Sequence, residues 1–273
     1  KDGKLTPLQK CTLVTFPCCI FGPLTAIETF RYERAYLTFT IAVSIVDILF
    51  FVVMVGVHGF DSTSNNMMIG PSPCALYKAG GKWTPDIVVH GQVWRLLSPL
   101  FIHAGVVHLA LNLFAQLSLG LQCEFAWSSP AIIAIYLFSG VVGNVASALG
   151  SPHTLSVGAS GAILGVLGAL ITHTWVTWTK TDVRIRAARA RGLAVTLVLL
   201  VGSGFLASVD NWAHFGGLAA GMVSGCVVFR SELVFSGWKR FVIQSAALVG
   251  VAVMAVFTVV LFTQQREDFA VEC

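Results

Sequence analysis

"FIHAGVVHLALNLFAQ", residues 101–116, runs into an apolar stretch of membrane length and yet carries His103, His108 and Asn112. The run from 105 to 124 is long enough for one helix to cross a hydrocarbon core, which takes about 20 residues. Ionisable and amide groups are costly at that depth and are kept where they face the inside of a bundle or a water-filled cavity. His108 and Asn112 are four residues apart, so a helix puts them on one face, one turn from each other. His103, five residues before His108, falls off that face, at the mouth of the span.

The rest of the chain has the same character. Of 273 residues, 56% are hydrophobic and 11% charged, and the mean hydropathy is +0.80, which marks an integral membrane protein. Apolar runs near 38–59, 105–124, 130–149, 160–178, 192–208, 212–229 and 241–263 predict seven spanning helices and an all-α, polytopic helix bundle. Lys and Arg accumulate on the cytoplasmic side of short loops. An inside N-terminus places Lys1, Lys4, Lys10, Arg31, Arg34, Lys180, Arg184, Arg186, Arg189, Arg191, Arg230, Lys239 and Arg240 in the cytoplasm and leaves only Lys78, Lys82, Arg95 and Arg266 outside. The C-terminus is then outside, in a plasma or secretory-pathway membrane. The net charge of +4 reports topology, and no basic, aromatic-studded surface points to nucleic acid.

Residues 1–37, with two prolines and Glu28 in "CTLVTFPCCIFGPLTAIETF", form a poor spanning helix and are expected at the cytoplasmic interface. Residues 38–230 hold six spans, and 231–273 a seventh span and an outer tail. The long loop at 60–104 is expected to lie half-sunk in the outer membrane face. A start at Lys rather than Met is consistent with a longer natural N-terminus. The seven cysteines suggest no disulfide framework. Cys18 and Cys19 are read as unmodified juxtamembrane residues, and a pairing of Cys74 with Cys273 on the outer side stays open.

Two further islands hold polar groups. In "VGASGAILGVLGAL", Ser160 sits between Gly158 and Gly161 at the start of the fourth span. A serine there is by default a helix cap. In "DNWAHFGGLAAGMVSG", His214 opens the sixth span and is followed by Gly217, Gly221 and Gly225, four apart. Such small-residue rows let helices approach closely, and Gly161, Gly165 and Gly168 offer a matching row. The two helices are expected to meet almost backbone to backbone, with Ser160 and His214 in hydrogen-bond reach. Ser160, His214, His108 and Asn112 all fall in the first turns of helices that start outside. Isolated structural residues would have no reason to share that layer.

From Trp94 to Gly225 the chain resembles the rhomboid intramembrane serine proteases. The resemblance rests on "WR" at Trp94 and Arg95, "HAGVVHLALN" from His103 to Asn112, "GASG" from Gly158 to Gly161 and "AHFGG" from Ala213 to Gly217, in order on the expected helices. It implies a six-helix core, with the seventh span added as in eukaryotic secretase-type members. Ser160 would be the nucleophile and His214 the general base. His108, Asn112 and the Ser160 backbone N–H would form an oxyanion hole, with Gly158, Gly161, Trp94, Arg95, His103 and Gly217 in support. Asp210, one turn before His214, reads as a helix cap, so a dyad is expected. The substrate would be a transmembrane segment of another protein, partly unwound and paired with the loop 150–157. His153 in that loop reads as a solvated loop histidine. Leu164 departs from the family, in which an aromatic residue four after the serine stacks on the histidine. No cofactor or metal is expected: His103, His108 and His214 lack an HExxH-like pair or a carboxylate cluster. A client-binding pseudoprotease would lack the serine or the histidine. A transporter would need in-span carboxylates, and the only one expected is Asp47 on the first span, in a helix-contact role.

Overall fold

The computed structural model describes residues 38–181, 183, 186, 187, 190–194 and 210–229. Residues 1–37 with Cys18 and Cys19, most of the expected fifth span and the segment 231–273 with Cys273 lie outside the described residues. The helices are α1 (Phe39–His58), α2 (Pro73–Ala79), α3 (Thr84–Val89), α4 (Val106–Trp127), α5 (Ser129–Gly150), α6 (Ser160–Val176) and α7 (Asn211–Val228). α1, α4 and α5 are long and apolar enough to cross a membrane, and α6 is a shorter apolar helix. With α7 they stand on five of the expected spans, within a few residues at each end. The chain is a polytopic membrane helix bundle, with no strand among the described residues.

α6 is the central element, buried on nearly all sides from Gly161 to Val176, as expected of a helix that is apolar around its whole circumference. Its glycine row meets that of α7. A Cβ added at Gly217 would overlap the carbonyl oxygen of Gly161, one at Gly221 that of Gly165, and one at Gly168 that of Leu218. Gly143 on α5 is pressed against the Ala213 carbonyl in the same way, 2.7 Å from where its Cβ would stand. The pairs α6–α7 and α5–α7 therefore pack at backbone distance, the first as the facing glycine rows predicted.

The remaining joints are polar. Glu124, near the end of α4, accepts from the backbone N–H of Phe39 at 2.7 Å and of Thr40 at 2.9 Å, from the Thr40 hydroxyl at 2.6 Å and from Ser129 Oγ at 2.5 Å. One buried carboxylate thereby satisfies the exposed amides at the start of α1, where an anion is also favoured by the helix dipole, and ties in the start of α5. Asp47 is consequently not the only carboxylate in the spans. The turn Gln116–Gly120 of α4 is wound wider, with i to i+5 bonding. Gln116 Nε2 donates to Ser44 Oγ at 2.9 Å and Asp47 Oδ2 at 3.0 Å, and its Oε1 accepts from the Tyr136 hydroxyl at 2.7 Å. Asp47 has the helix-contact role expected of it, joining α1, α4 and α5.

The segment 60–104 is more ordered than a plain loop: it folds into α2, α3 and two 3-10 turns, Val93–Leu96 and Ser98–Phe101, with Lys82, Asp86 and Arg95 buried. Local signals start its helices: the Ser72 side chain caps Ala75 N–H at 3.3 Å, and Pro73 and Pro85 stand in the first turns.

The glycine contact yields a paired prediction. Gly221→Val forces a side chain onto the Gly165 carbonyl and is expected to cost about 3 kcal/mol or more, a fall of roughly 10 °C in Tm. Gly56→Ala, on α1 with nothing within 4 Å of the added carbon, is expected to leave Tm unchanged or slightly raised. Thermal unfolding of the purified protein in detergent checks both, and equal losses would remove the packing account.

Candidate active site

Three helix starts converge at one end of the bundle. α7 begins at Asn211 with Asp210 as its cap, whose Oδ1 accepts from Ala213 N–H at 3.0 Å. This sets the first turn and with it His214. α6 begins at Ser160 with no side-chain cap, so amides of its first turn take no side-chain acceptor, and the positive end of the helix dipole stands beside the serine. The backbone contact of Gly161 and Gly217 holds the two starts together. His214 Nε2 and Ser160 Oγ lie 2.7 Å apart. Both residues remain partly exposed. His214 Nδ1 has no hydrogen-bond partner among the described residues. Asp210, occupied as a cap, also accepts from Ser147 Oγ. Ser160 and His214 are thus brought together, and Asp210 serves as the helix cap that the sequence suggested.

α4 brings His108 to the same place. Ala104 N–H donates to its Nδ1 at 3.2 Å, so in the neutral ring the proton sits on Nε2 and makes that atom a donor. The Nε2 edge faces Gly158, where an added Cβ would stand 2.9 Å from Nε2, 2.7 Å from Cε1 and 3.8 Å from Ser160 Oγ. Gly158 has φ +127, a conformation that side chains rarely adopt, so a larger residue would both strain the turn and displace the histidine. Gly158 N–H is anchored on Pro99 O at 2.8 Å. Asn112 is buried one turn along α4. Its Nδ2 donates to His108 O at 2.9 Å, which leaves the second N–H of that amide uncommitted and Oδ1 without a partner among the described residues.

His103 is not merely at the mouth of the span. It is fully buried, with its ring edge-on to that of His108 at 5.4 Å between centroids. Burial, helped by His108, pushes its imidazole down to about 3, so it is a neutral packing partner of the His108 ring. Arg95 is buried in the segment before α4. Its guanidinium donates to Tyr77 O at 2.9 Å, Gly81 O at 2.8 Å and Gln92 Oε1 at 2.7 Å, pairs with Asp86 at 3.2 Å and lies over the Tyr77 and Trp94 rings. Burial lowers its pKa, and Asp86 opposes the change. Trp94 covers the guanidinium from outside, and the pair organises 77–96. Leu164 is buried in the core of α6. His153 is exposed with its ring edge towards Trp83. No cluster of His, Cys, Asp or Glu able to hold a metal occurs among the described residues.

Sequence reasoning missed Asp86, Glu124 and Lys82. Asp86 had a weak signal, since "TPD" opens a helix. The other two look like ordinary charged residues until their surroundings are known.

The starts of α4, α6 and α7 thus gather His108, Ser160 and His214 at one end of a membrane helix bundle, below a helix start that no side chain caps. The family comparison gives it a lineage: a Rhomboid domain model matches residues 90–231, and the chain belongs to the rhomboid family, which supports intramembrane protease activity in general and also contains inactive members. It is 38% identical over 177 residues to RHOMBOID-like protein 4 of Arabidopsis thaliana, covering 63% of this chain and 43% of that one. It is 34% identical over 182 residues to RHOMBOID-like protein 6, mitochondrial, of the same plant, covering 67% and 58%. Rhomboid-like protease 3 of Toxoplasma gondii is 30% identical over 186 residues, 68% of this chain and 70% of that one. The chain spans about half the length of the two plant relatives.

The buried His103 makes stability depend on pH. Its folded value of about 3 lies below the ordinary 6.5, so between those values the unfolded chain binds a proton that the folded chain does not. The stability is fully present above 6.5 and is lost as the pH falls through that window. His103→Gln is expected to flatten the fall in stability between pH 6.5 and 5 by about 1 kcal/mol per pH unit. Unfolding curves of wild type and variant across that range check it, and parallel curves would assign the acid lability elsewhere.

Proposed function

We propose that the chain is an intramembrane serine protease that hydrolyses a peptide bond in or next to the transmembrane segment of single-span membrane proteins, by a dyad of Ser160 and His214. The observation that carries this is the 2.7 Å contact of His214 Nε2 with Ser160 Oγ beneath a helix start that no side chain caps. In the proposed reaction His214 Nε2 takes the Ser160 proton as Oγ attacks the scissile carbonyl carbon. The carbonyl oxygen becomes an oxyanion within reach of the Ser160 backbone N–H, the His108 Nε2–H and the second Asn112 N–H. Such donors count for more in a site of low dielectric and are commonly worth about 3 kcal/mol each. His214 then gives its proton to the leaving amine. Water, activated by the same imidazole, hydrolyses the acyl-enzyme and returns the serine.

The substrate backbone has a natural edge to lie against. Ser156 turns its own N–H and C=O to Lys82, so in an extended segment the main-chain groups of Leu155 and Val157 face the other way and can pair with an unwound strand. Partly exposed Ser160 and His214 admit water. The distribution of Lys and Arg supports an N-terminus in the cytoplasm and a site near the outer surface. The substrates would accordingly be cut near their outer membrane boundary, in a plasma or secretory-pathway membrane.

Co-expression with a tagged single-span reporter in cells lacking other rhomboids tests the proposal. Wild type is expected to release a fragment cut near the outer boundary. Ser160→Ala and His214→Ala should lower the rate at least about 10³-fold, and His108→Phe about 10²-fold. Equal cleavage by wild type and Ser160→Ala would sink the assignment of the nucleophile. An uncut reporter together with no labelling of wild-type Ser160 by a fluorophosphonate would make the protein a client-binding relative.

A further inference from the structure

Lys82 is fully buried, an unusual place for an ammonium. Its Nζ donates to Thr154 O at 2.7 Å and Ser151 O at 2.8 Å, and more distantly to Ser147 O at 3.5 Å. The last two are carbonyls at the C-terminal end of α5, where a cation also meets the negative end of the helix dipole. The same residue pairs by its main chain with Ser156, accepting at 3.2 Å and donating at 2.8 Å, the isolated antiparallel bridge among the described residues. Next to it, Thr84 Oγ1 donates to Ala148 O at 3.3 Å. Asp210 supplies the nearby negative charge. Burial lowers the lysine to about 8 while Asp210 pulls the other way. Asp210, despite its own burial, is held below the usual carboxylate range by Ser147, Ser156, the Ala213 N–H and Lys82.

Four parts of the chain thus meet at one side chain: the segment before α3, the end of α5, the loop that runs into Ser160, and the cap of the helix that carries His214. The loop 151–157 has no helix or sheet of its own to hold it; among its fixed points are Ser151 N–H on Ser147 O at 2.8 Å, the turn Thr154 N–H to Ser151 O at 3.2 Å, the Lys82 contacts and the Ser156 hydroxyl on Asp210. A buried lysine that merely filled space would be replaced at less cost by an apolar residue, because three dehydrated donors and a charge need matched acceptors. Here every direction of the ammonium is spent on this loop and on the helix end that precedes it.

We propose that Lys82 is a positioning residue that holds 154–157 as an extended edge for the substrate backbone. It touches neither the serine nor the histidine. Its effect falls on the docking of a peptide strand along Leu155 and Val157, and little on the attack of Ser160 on a small electrophile that needs no strand. This rests on the protease function proposed above, and three measurements on the same full-length protein in phosphatidylcholine proteoliposomes keep the two apart. They are KM and kcat for a dye–quencher peptide made of one transmembrane segment with a Gly-Ala pair near one boundary, the rate of fluorophosphonate labelling with Ser160→Ala as the blank, and amide hydrogen exchange of Thr154 and Ser156.

Lys82→Met is expected to raise KM about tenfold or more, to leave kcat and labelling within about threefold of wild type, and to speed exchange of the two amides about tenfold. Lys82→Gln, with two N–H groups to place on the same carbonyls, should recover part of the KM. A parallel fall of cleavage and labelling would put the lysine's influence on the dyad and overturn the proposal. So would unchanged KM, unchanged exchange, or loss of the folded bundle in both variants by circular dichroism, which would make Lys82 a folding strut. Wild type that neither cuts nor labels defeats the protease reading instead. In that event the exchange rates still decide whether Lys82 holds the loop, and equal rates in wild type and Lys82→Met end the proposal.

Discussion

Everything at the site depends on the backbone contact between α6 and α7. Lipid offers no hydrophobic drive for two apolar helices to associate, so what holds them is close packing and polar bonding between them. Glycine at Gly161, Gly165 and Gly168, against Gly217 and Gly221, removes the side chains that would otherwise set the separation. At that separation a short side chain such as serine reaches the imidazole on the neighbouring helix. A bundle spaced by ordinary side chains would put the same two residues out of reach, so the geometry of the site is a consequence of the packing of the core.

The second theme is how a membrane bundle carries polar groups. Three buried charged residues are each matched to several partners and stand at joints: Glu124 on the start of α1 and the Ser129 hydroxyl, Arg95 on carbonyls and Asp86, Lys82 on the end of α5 and the loop before Ser160. Helix ends supply the unpaired amides and carbonyls that such side chains need. A buried ion that loses a partner is far more costly than one that was never there, so these joints fix register where apolar packing alone would allow sliding. The contrast with the site is informative. There the amides at the start of α6 have no side-chain cap, and His214 Nδ1 and Asn112 Oδ1 lack partners among the described residues. Unpaired capacity therefore stands beside Ser160, although it is not confined to that place: Asp47 Oδ1, Trp127 Nε1 and Ser139 Oγ also lack hydrogen-bond partners among the described residues.

Much was legible in the chain itself. Hydropathy placed five helices that the structure describes, because spanning length and composition are local properties set by the thickness of the hydrocarbon. The spacing of four between Gly217, Gly221 and Gly225 foretold a grooved face, and the positions of Ser160, His108 and His214 near helix starts foretold a shared layer, since helical geometry turns sequence offsets into depth. The Asp210 cap and the helix-contact role of Asp47 followed from the same local reasoning. Local reasoning also failed in one consistent way. Lys82 and Arg95 read as loop cations and Glu124 went unnoticed, because a charge in a loop or at a span's end normally faces water.

What the sequence by itself determined is therefore the set of spans, the glycine rows and the polar residues that share one depth, all properties of single helices. Only the tertiary structure decided which ends meet: that Glu124 closes on α1, that the His108 ring is fixed through Ala104 so that Nε2 is its donor, and that Lys82 reaches the loop before Ser160 from a part of the chain about seventy residues away. The physical reason is that hydrophobic periodicity acts within a helix and repeats along it, whereas the pairing of a buried charge depends on distances between helix ends, which exist only once the bundle has packed.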